Sequence, residues 1–391
     1  MTGDSPAVPA EPALTGRRLV LMNPGPVNTA EVVRGALGGP DMCHREPEFG
    51  ELMNRIRHKA TAVCGGGADH TSVLLTGSGT AALEAAVTSA IPADGGLLVV
   101  DNGHYGKRLF DIASVHGIRV TRLDLGWGTP VEPAAVGRAL AADPSLTHVA
   151  VVHHETSTGM LNDVSGIGAV AHELGRRTIV DAISSVGAEP LDITRDHVDW
   201  LVGTANKCLE GMPGVSFVCA SRRDFDALAA HPAHTYYLDL NRHFRAQEKA
   251  GAPAFTPSVP VFYAFEAALD LALAEGVAAR GARYRALAER LRAGLTEQGL
   301  HIMLEPEHRA VSLSAIRLPG KMPYESLHDA CKRAGFVIYA AQDQLAGGFF
   351  RLSTMGAMDE RDIDRFLTAL GEALSGHGRG APVRSGPGEA A

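Results

Sequence analysis

The chain has 391 residues, enough for two domains of ordinary size, and its 45% hydrophobic and 20% charged residues allow a large buried core. A formal net charge of −8 argues against a general nucleic-acid binder. No run of about 18 apolar residues occurs, so no membrane-spanning helix and no membrane partner is expected. Residues 1–14 lack the basic start and apolar stretch of a signal peptide, and the five cysteines show no metal-type spacing. A cytoplasmic protein with reduced thiols and no metal is the expectation.

Residues 1–16 and 377–391 are rich in Gly, Pro, Ala and Ser, and are expected to lie outside the packed structure. Between them short apolar runs alternate with amphipathic stretches. Strands are predicted at 70–76, 97–101, 119–124, 148–154, 178–183, 198–203 and 215–220, with helices such as 80–90 and 167–174 between them. Leu97-Leu98-Val99-Val100 is apolar without alternation, the mark of a strand buried on both faces. The pattern predicts an α/β domain with a mostly parallel sheet over 17–262. Pro253, Pro257 and Pro260 interrupt it, and a long helical stretch from Tyr263 to Gly299 follows. Strand-like 310–317, 336–340 and 349–353, with helices at 324–333 and 360–374, predict a smaller α+β domain over 263–376.

Three groups of residues carry chemistry. Gly77-Ser78-Gly79-Thr80 lies where a strand opens into a helix, so free N–H groups and hydroxyls can cradle a phosphate. No Gly-Lys-Ser/Thr follows, which excludes a Walker loop. Asp181 ends a strand, at the edge where parallel sheets bind ligands, and a carboxylate there can hold a ring nitrogen protonated. Lys207 follows one strand further along, beside small Ala205 and before Gly211-Met212-Pro213-Gly214. A lysine so placed can form a Schiff base and shuttle protons. Each group also has an ordinary reading: a capped turn, an aspartate closing a turn, a solvated surface lysine. One ligand with a phosphate, a basic ring nitrogen and an aldehyde accounts for all three.

Longer segments resemble the class V, fold type I, aminotransferases that use pyridoxal 5′-phosphate. They are Asn23-Pro24-Gly25-Pro26, residues 70–84 (HTSVLLTGSGTAALE), Asn102-Gly103-His104-Tyr105-Gly106, residues 153–161 (HHETSTGML), residues 180–185 (VDAISS) and residues 205–214 (ANKCLEGMPG), in family order. The last is similar to the branch that moves the amino group of 2-aminoethylphosphonate to pyruvate, or the reverse. The resemblance implies that Ser78, Gly79 and Thr80 hold the cofactor phosphate, Tyr105 stacks on its ring and Thr156 bonds its phenolic oxygen. It implies that Asp181 holds the ring nitrogen and that Lys207 carries the aldehyde. Arg351 falls where the family binds a substrate carboxylate, a fit for a planar guanidinium. Thr256 resembles a residue that reaches the phosphate of a neighbouring subunit, which implies a homodimer with sites at the interface.

Two places depart from the branch. Cys43-His44-Arg45-Glu46-Pro47-Glu48-Phe49 is more like the wider family; it reads either as a helix start or as His44 and Arg45 at the site mouth. Asn23 stands where Thr is common. Arg45, Arg245 and Asn23 join Arg351 as candidates for binding the amine and 2-oxo acid substrates. Competing readings are a glyoxylate transaminase of alanine or serine, and a pyridoxal-phosphate lyase or desulfurase. A desulfurase needs a cysteine in a mobile loop, and none of the five lies in an obvious Gly/Ser-rich one.

Overall fold

The computed structural model describes residues 19–320 and 322–378. The expectations for 1–16 and for the tail from 379 onward lie outside those residues, while 377–378 complete the final helix. Seven strands make the main sheet: β1 (His70–Thr76), β2 (Gly96–Asp101), β3 (Arg119–Asp124), β4 (Leu146–Val152), β5 (Arg177–Asp181), β6 (Trp200–Thr204) and β7 (Val215–Ser221), in the order β1-β7-β6-β5-β4-β2-β3. Every neighbouring pair is parallel except the two made by β7.

The continuous apolar runs have the predicted cause. Helices α1 (Pro47–Val63), α2 (Gly79–Ala90), α3 (His104–Val115), α4 (Pro133–Ala142), α5 (Val164–Glu173) and α6 (Val259–Glu275) cover both faces of the sheet. Leu98 and Val100 of β2 enter the core shared with α1, α4, α5 and α6, while Leu97 and Val99 enter the core shared with α2 and α3. The two-residue period is thus used twice, once for each face. Edge strand β3 is mostly exposed and charged, which discourages further pairing.

The helical stretch after residue 262 is two helices, not one. Gly276, at φ 83°, ends α6 and starts α7 (Val277–Glu297), a backbone conformation that favours glycine. Helix α6 buries Phe262, Phe265 and Leu269 in the large-domain core. Helix α7 buries Leu287, Leu291 and Leu295 in a third core with Phe350, Leu352 and Phe366. The expected junction at 262/263 therefore falls inside α6, and the cores divide after it.

That third core is built on β8 (Leu313–Arg317), β9 (Tyr339–Ala340) and β10 (Phe349–Ser353), antiparallel in the order β8-β10-β9, with α8 (Tyr324–Ala334) and α9 (Glu360–Gly378). The N-terminal segment joins this unit rather than the large domain that precedes it in sequence. Val20–Leu21 pairs in parallel with Phe336–Val337, and Val20 and Met22 are buried in the third core. Asn23–Pro26 then passes from one unit to the other.

Helix α7 docks closely on the turn after β5, where a methyl added at Gly281 would overlap the Ala188 carbonyl oxygen. Gly281→Ala is expected to destabilise the fold by about 1–3 kcal/mol. Urea unfolding checks this, and an unchanged midpoint would show slack in that contact.

Candidate active site

The carboxyl ends of β1, β2, β4, β5 and β6 converge on one cavity of about 190 Å³, whose lining includes Ser78, Thr80, Tyr105, Arg108, Asp181 and Lys207. This is where the topology of an open α/β sheet places a ligand. A larger cavity of about 520 Å³ opens beside His153 and Arg195, but it holds no lysine and none of the predicted site residues.

Lys207 lies just past β6, and the segment that carries it is pinned from behind by α7. Arg280 Nη1 donates to the Cys208 carbonyl at 3.1 Å. The Tyr284 hydroxyl donates to Glu210 Oε1 at 2.6 Å and accepts from the Gly356 N–H at 3.1 Å. Arg283 Nη2 also donates to Glu210, at 2.8 Å. Glu210 has φ 59°, a left-handed conformation that a glutamate keeps only where its surroundings enforce it. In front, the Lys207 amine donates to the Pro24 carbonyl. Gly25, at φ 119°, makes that approach possible, because a Cβ there would lie 2.5 Å from Nζ.

Burial pulls the Lys207 amine down to about 8; Arg351 and Arg108 press in the same direction and Asp181 opposes them. Asp181 is pushed up to about 6, again chiefly by burial, with the Ile183 N–H bond and Arg108 pulling back. The Asp181 carboxylate is therefore ionised above about pH 6, and a neutral amine stands beside it above about pH 8.

Three residues at the site escaped the sequence reading. Arg108 lines the cavity, donates to the Thr80 hydroxyl at 3.2 Å and lies over the Tyr105 ring at 4.6 Å. Its spacing of three from Tyr105 at a helix start was the available signal. His154 lines the wall. Its Nδ1–H donates to the Ser184 carbonyl at 3.0 Å, while Nε2 is buried without a partner. Burial takes its pKa down to about 3, so the ring is neutral and Nε2 is an acceptor. Glu155, fully buried, accepts from the N–H groups of Tyr105 (2.9 Å), Gly106 (3.1 Å) and Ser157 (3.0 Å). It fixes the start of α3 and so the placement of both Tyr105 and Arg108.

The remaining candidates divide. Arg351 is buried on β10, donating from Nε to the Ala340 carbonyl (3.1 Å) and from Nη1 to the Thr156 carbonyl (3.2 Å), close enough to lower the Lys207 amine. Thr156 is buried in the same turn. Asn23 is buried and spends its amide on the Pro26 carbonyl at 2.8 Å, supporting the turn over Lys207. Arg45, Arg245 and Thr256 are exposed and line no part of this cavity within one chain. Cys208, beside Lys207, faces away from the cavity. Its thiol donates to the Ser184 carbonyl at 3.2 Å, and burial pushes it up to about 12.

Residues 32–366 match the model of the aminotransferase class-V family. The chain belongs to the class V aminotransferases. A 2-aminoethylphosphonate–pyruvate transaminase of Syntrophobacter fumaroxidans is 39% identical over 91% of this chain and 96% of its own. A protein of the same name from Salmonella typhimurium is 36% identical over 92% and 99%. The crystal structure of a pyridoxamine–pyruvate aminotransferase from Mesorhizobium loti superimposes with a TM-score of 0.87 at 29% identity, covering 94% of this chain and 95% of that one.

A class V aminotransferase works with pyridoxal phosphate, and the cavity fits that group. The first N–H groups of α2 have no intrahelical acceptor, and the Ser78 hydroxyl does not cap them. The unpartnered His154 Nε2 offers a buried acceptor, and a guanidinium stands beside the helix start.

The depressed pKa of Lys207 has a direct consequence, since only the neutral amine attacks an aldehyde. Uptake of pyridoxal phosphate by cofactor-free protein should quicken as pH rises and level off above about 8. Absorbance at the wavelength of the bound aldehyde checks this. A midpoint at the ordinary value for lysine would mean that the amine stays hydrated.

Proposed function

We propose that this enzyme transfers the amino group of 2-aminoethylphosphonate to pyruvate, giving phosphonoacetaldehyde and L-alanine. The carrying observation is agreement over nearly the whole chain with relatives of that name, at 39% and 36% identity. The chemistry around Lys207 supports it: Arg108 lines the cavity, Arg351 is near enough to act on the amine, and neither forms an ion pair among the described residues. Two guanidinium groups suit substrates that are anions at one end, a phosphonate in one half-reaction and a carboxylate in the other.

Pyridoxal phosphate supplies an aldehyde that takes up the amino group and a ring that draws off electrons. In our reading Ser78, Gly79 and Thr80 hold its phosphate at the start of α2. Tyr105 packs on the ring, Thr156 faces its phenolic oxygen, and Asp181 keeps the ring nitrogen protonated. His154, neutral and with Nε2 free to accept, lies along the same wall. Lys207 Nζ would take the proton from the carbon bearing the amino group, hold it and release it again, and in the second half-reaction it would work in reverse. Arg351 orients the substrate anion, so that this carbon comes within reach of the amine. Cys208 is buried, protonated and outside the cavity, so it does not offer the thiolate that a desulfurase requires.

The reading includes a homodimer. Thr256 is exposed beside Phe255, which packs on Tyr236 and Tyr237 at 5.8 and 4.9 Å between centroids. From there Thr256 would reach the phosphate held by a second copy. Arg45, also exposed, would approach the mouth of the same cavity. Five free cysteines fit a reducing cytoplasmic setting.

Comparison of 2-aminoethylphosphonate plus pyruvate with alanine plus glyoxylate tests the substrate. Turnover of the second pair alone would overturn it. Arg351→Ala should raise KM for both pyruvate and the amine at least tenfold, the scale of one lost charge-assisted anion contact; unchanged KM values would remove Arg351 from substrate binding. Lys207→Ala should still bind the cofactor but fail to convert it to the amine form when 2-aminoethylphosphonate is added. Conversion by that variant would mean another base moves the proton.

A further inference from the structure

Arg108 carries a full positive charge into the cavity, yet no carboxylate among the described residues pairs with it. What holds it is a histidine. Nη2 of Arg108 donates to His104 Nε2 at 3.2 Å, and His104 Nδ1 lies 2.6 Å from Asp343 Oδ2. An arginine has only hydrogens to give and a carboxylate only lone pairs, so the tautomer is fixed: Nε2 accepts and Nδ1–H donates. His104 is itself held, its backbone N–H donating to Ser157 Oγ at 3.1 Å and its ring edge-on to Trp127 with centroids 6.4 Å apart. At the far end of the line, Arg108 Nη1 donates to the hydroxyl of Thr80, the second residue of α2.

The line crosses between the two units. Thr80, His104 and Arg108 belong to the large domain, whereas Asp343 lies in the short turn Asp343–Leu345 between β9 and β10. Asp343 has φ 44°, so its backbone is held in a conformation that an L-residue adopts at a cost. His104, Arg108 and Asp343 also share the wall of an outer cavity of about 370 Å³, next to the catalytic one. Arg108 stands between the two.

We propose that Asp343 and His104 are positioning residues that set Arg108 against Thr80, so that the C-terminal unit governs how tightly the large domain's anion cup grips a phosphate. Without the line, Arg108 is a long side chain with rotamers to lose each time an anion binds, and that loss weakens binding. With it, the guanidinium is already over Tyr105 and at the mouth of the helix. A ligand lacking a phosphate makes no use of the arrangement. The inference rests on the reading that the cofactor phosphate lies at Ser78–Thr80, and it is independent of which amine is the substrate.

The test is titration of cofactor-free protein with pyridoxal 5′-phosphate and, separately, with pyridoxal. Asp343→Ala should raise the dissociation constant of pyridoxal phosphate about tenfold and leave that of pyridoxal unchanged. Asp343→Asn keeps an acceptor for His104 and tolerates the left-handed backbone, so it should fall between the two. Arg108→Ala should weaken pyridoxal phosphate at least as much, and Asp343→Ala should add nothing in that background. Equal weakening of both ligands, additive effects in the double variant, or no effect of Asp343→Ala would overturn the relay. A wild-type protein that binds pyridoxal as tightly as its phosphate would overturn the phosphate assignment itself, and the relay with it.

Discussion

Lys207 projects its amine from the end of a strand buried on both faces into a cavity where little water reaches it, and most of the surrounding structure serves that placement. A lysine stem has four rotatable carbons and no preferred direction, so its aim must come from the backbone that bears it and from what meets its tip. Behind it, Arg280 takes the Cys208 carbonyl, while Tyr284 and Arg283 hold the strained Glu210. In front is a turn with a glycine where any side chain would strike Nζ. The same dryness that lowers the pKa of the amine raises that of Asp181. Neither shift is separable from the burial that produces it.

The charges around the amine are arranged by distance rather than by pairing. Glu155 is buried, but its oxygens are spent on two N–H groups at the start of α3 and on the N–H and O–H of Ser157, so it acts as a clamp and not as a counterion. Asp181 keeps one oxygen on the Ile183 N–H and lines the cavity. Arg108 and Arg351 are tied to a hydroxyl, a histidine nitrogen and backbone carbonyls, all neutral groups. Such partners fix a guanidinium in space without cancelling its charge. The cavity is left with net attraction for anions, which a bound phosphate and a substrate anion can each use.

What the sequence made legible is what local pattern controls. Strands buried on two faces carry continuous apolar runs, and the Gly-Ser-Gly-Thr turn, Asp181 and Lys207 each lie at or just past the end of such a strand, so both fold and cofactor could be read. Arg108 and Glu155 could not. A single arginine in a helix with Lys107 and Asp111 looks solvated, and the value of Glu155 lies in contacts with residues fifty positions earlier. The pairing of Val20–Leu21 with Phe336–Val337 likewise depends on distant parts of the chain. Gly276 was visible as a glycine within a helical stretch; its break became evident only from where the two halves pack. Arg45 and Thr256 are exposed and lie outside the lining of the cavity.

The two units also meet around Lys207, and its neighbours come from both. Pro24, whose carbonyl receives the Lys207 amine, follows a segment rooted in the C-terminal core, and Arg351 reaches in from β10. Asp343 reaches in beside them through His104. A displacement of the C-terminal unit would therefore move an acceptor of the amine, a guanidinium near it and the support of a second guanidinium together. Because the large-domain parts are fixed to a sheet buried on both faces, they cannot follow. The Lys207 amine donates to the Pro24 carbonyl, and reaction at that amine and this hydrogen bond exclude one another. The group that replaces it has to satisfy a desolvated amine, which an aldehyde does by reacting and a solvent water does poorly in a dry cleft.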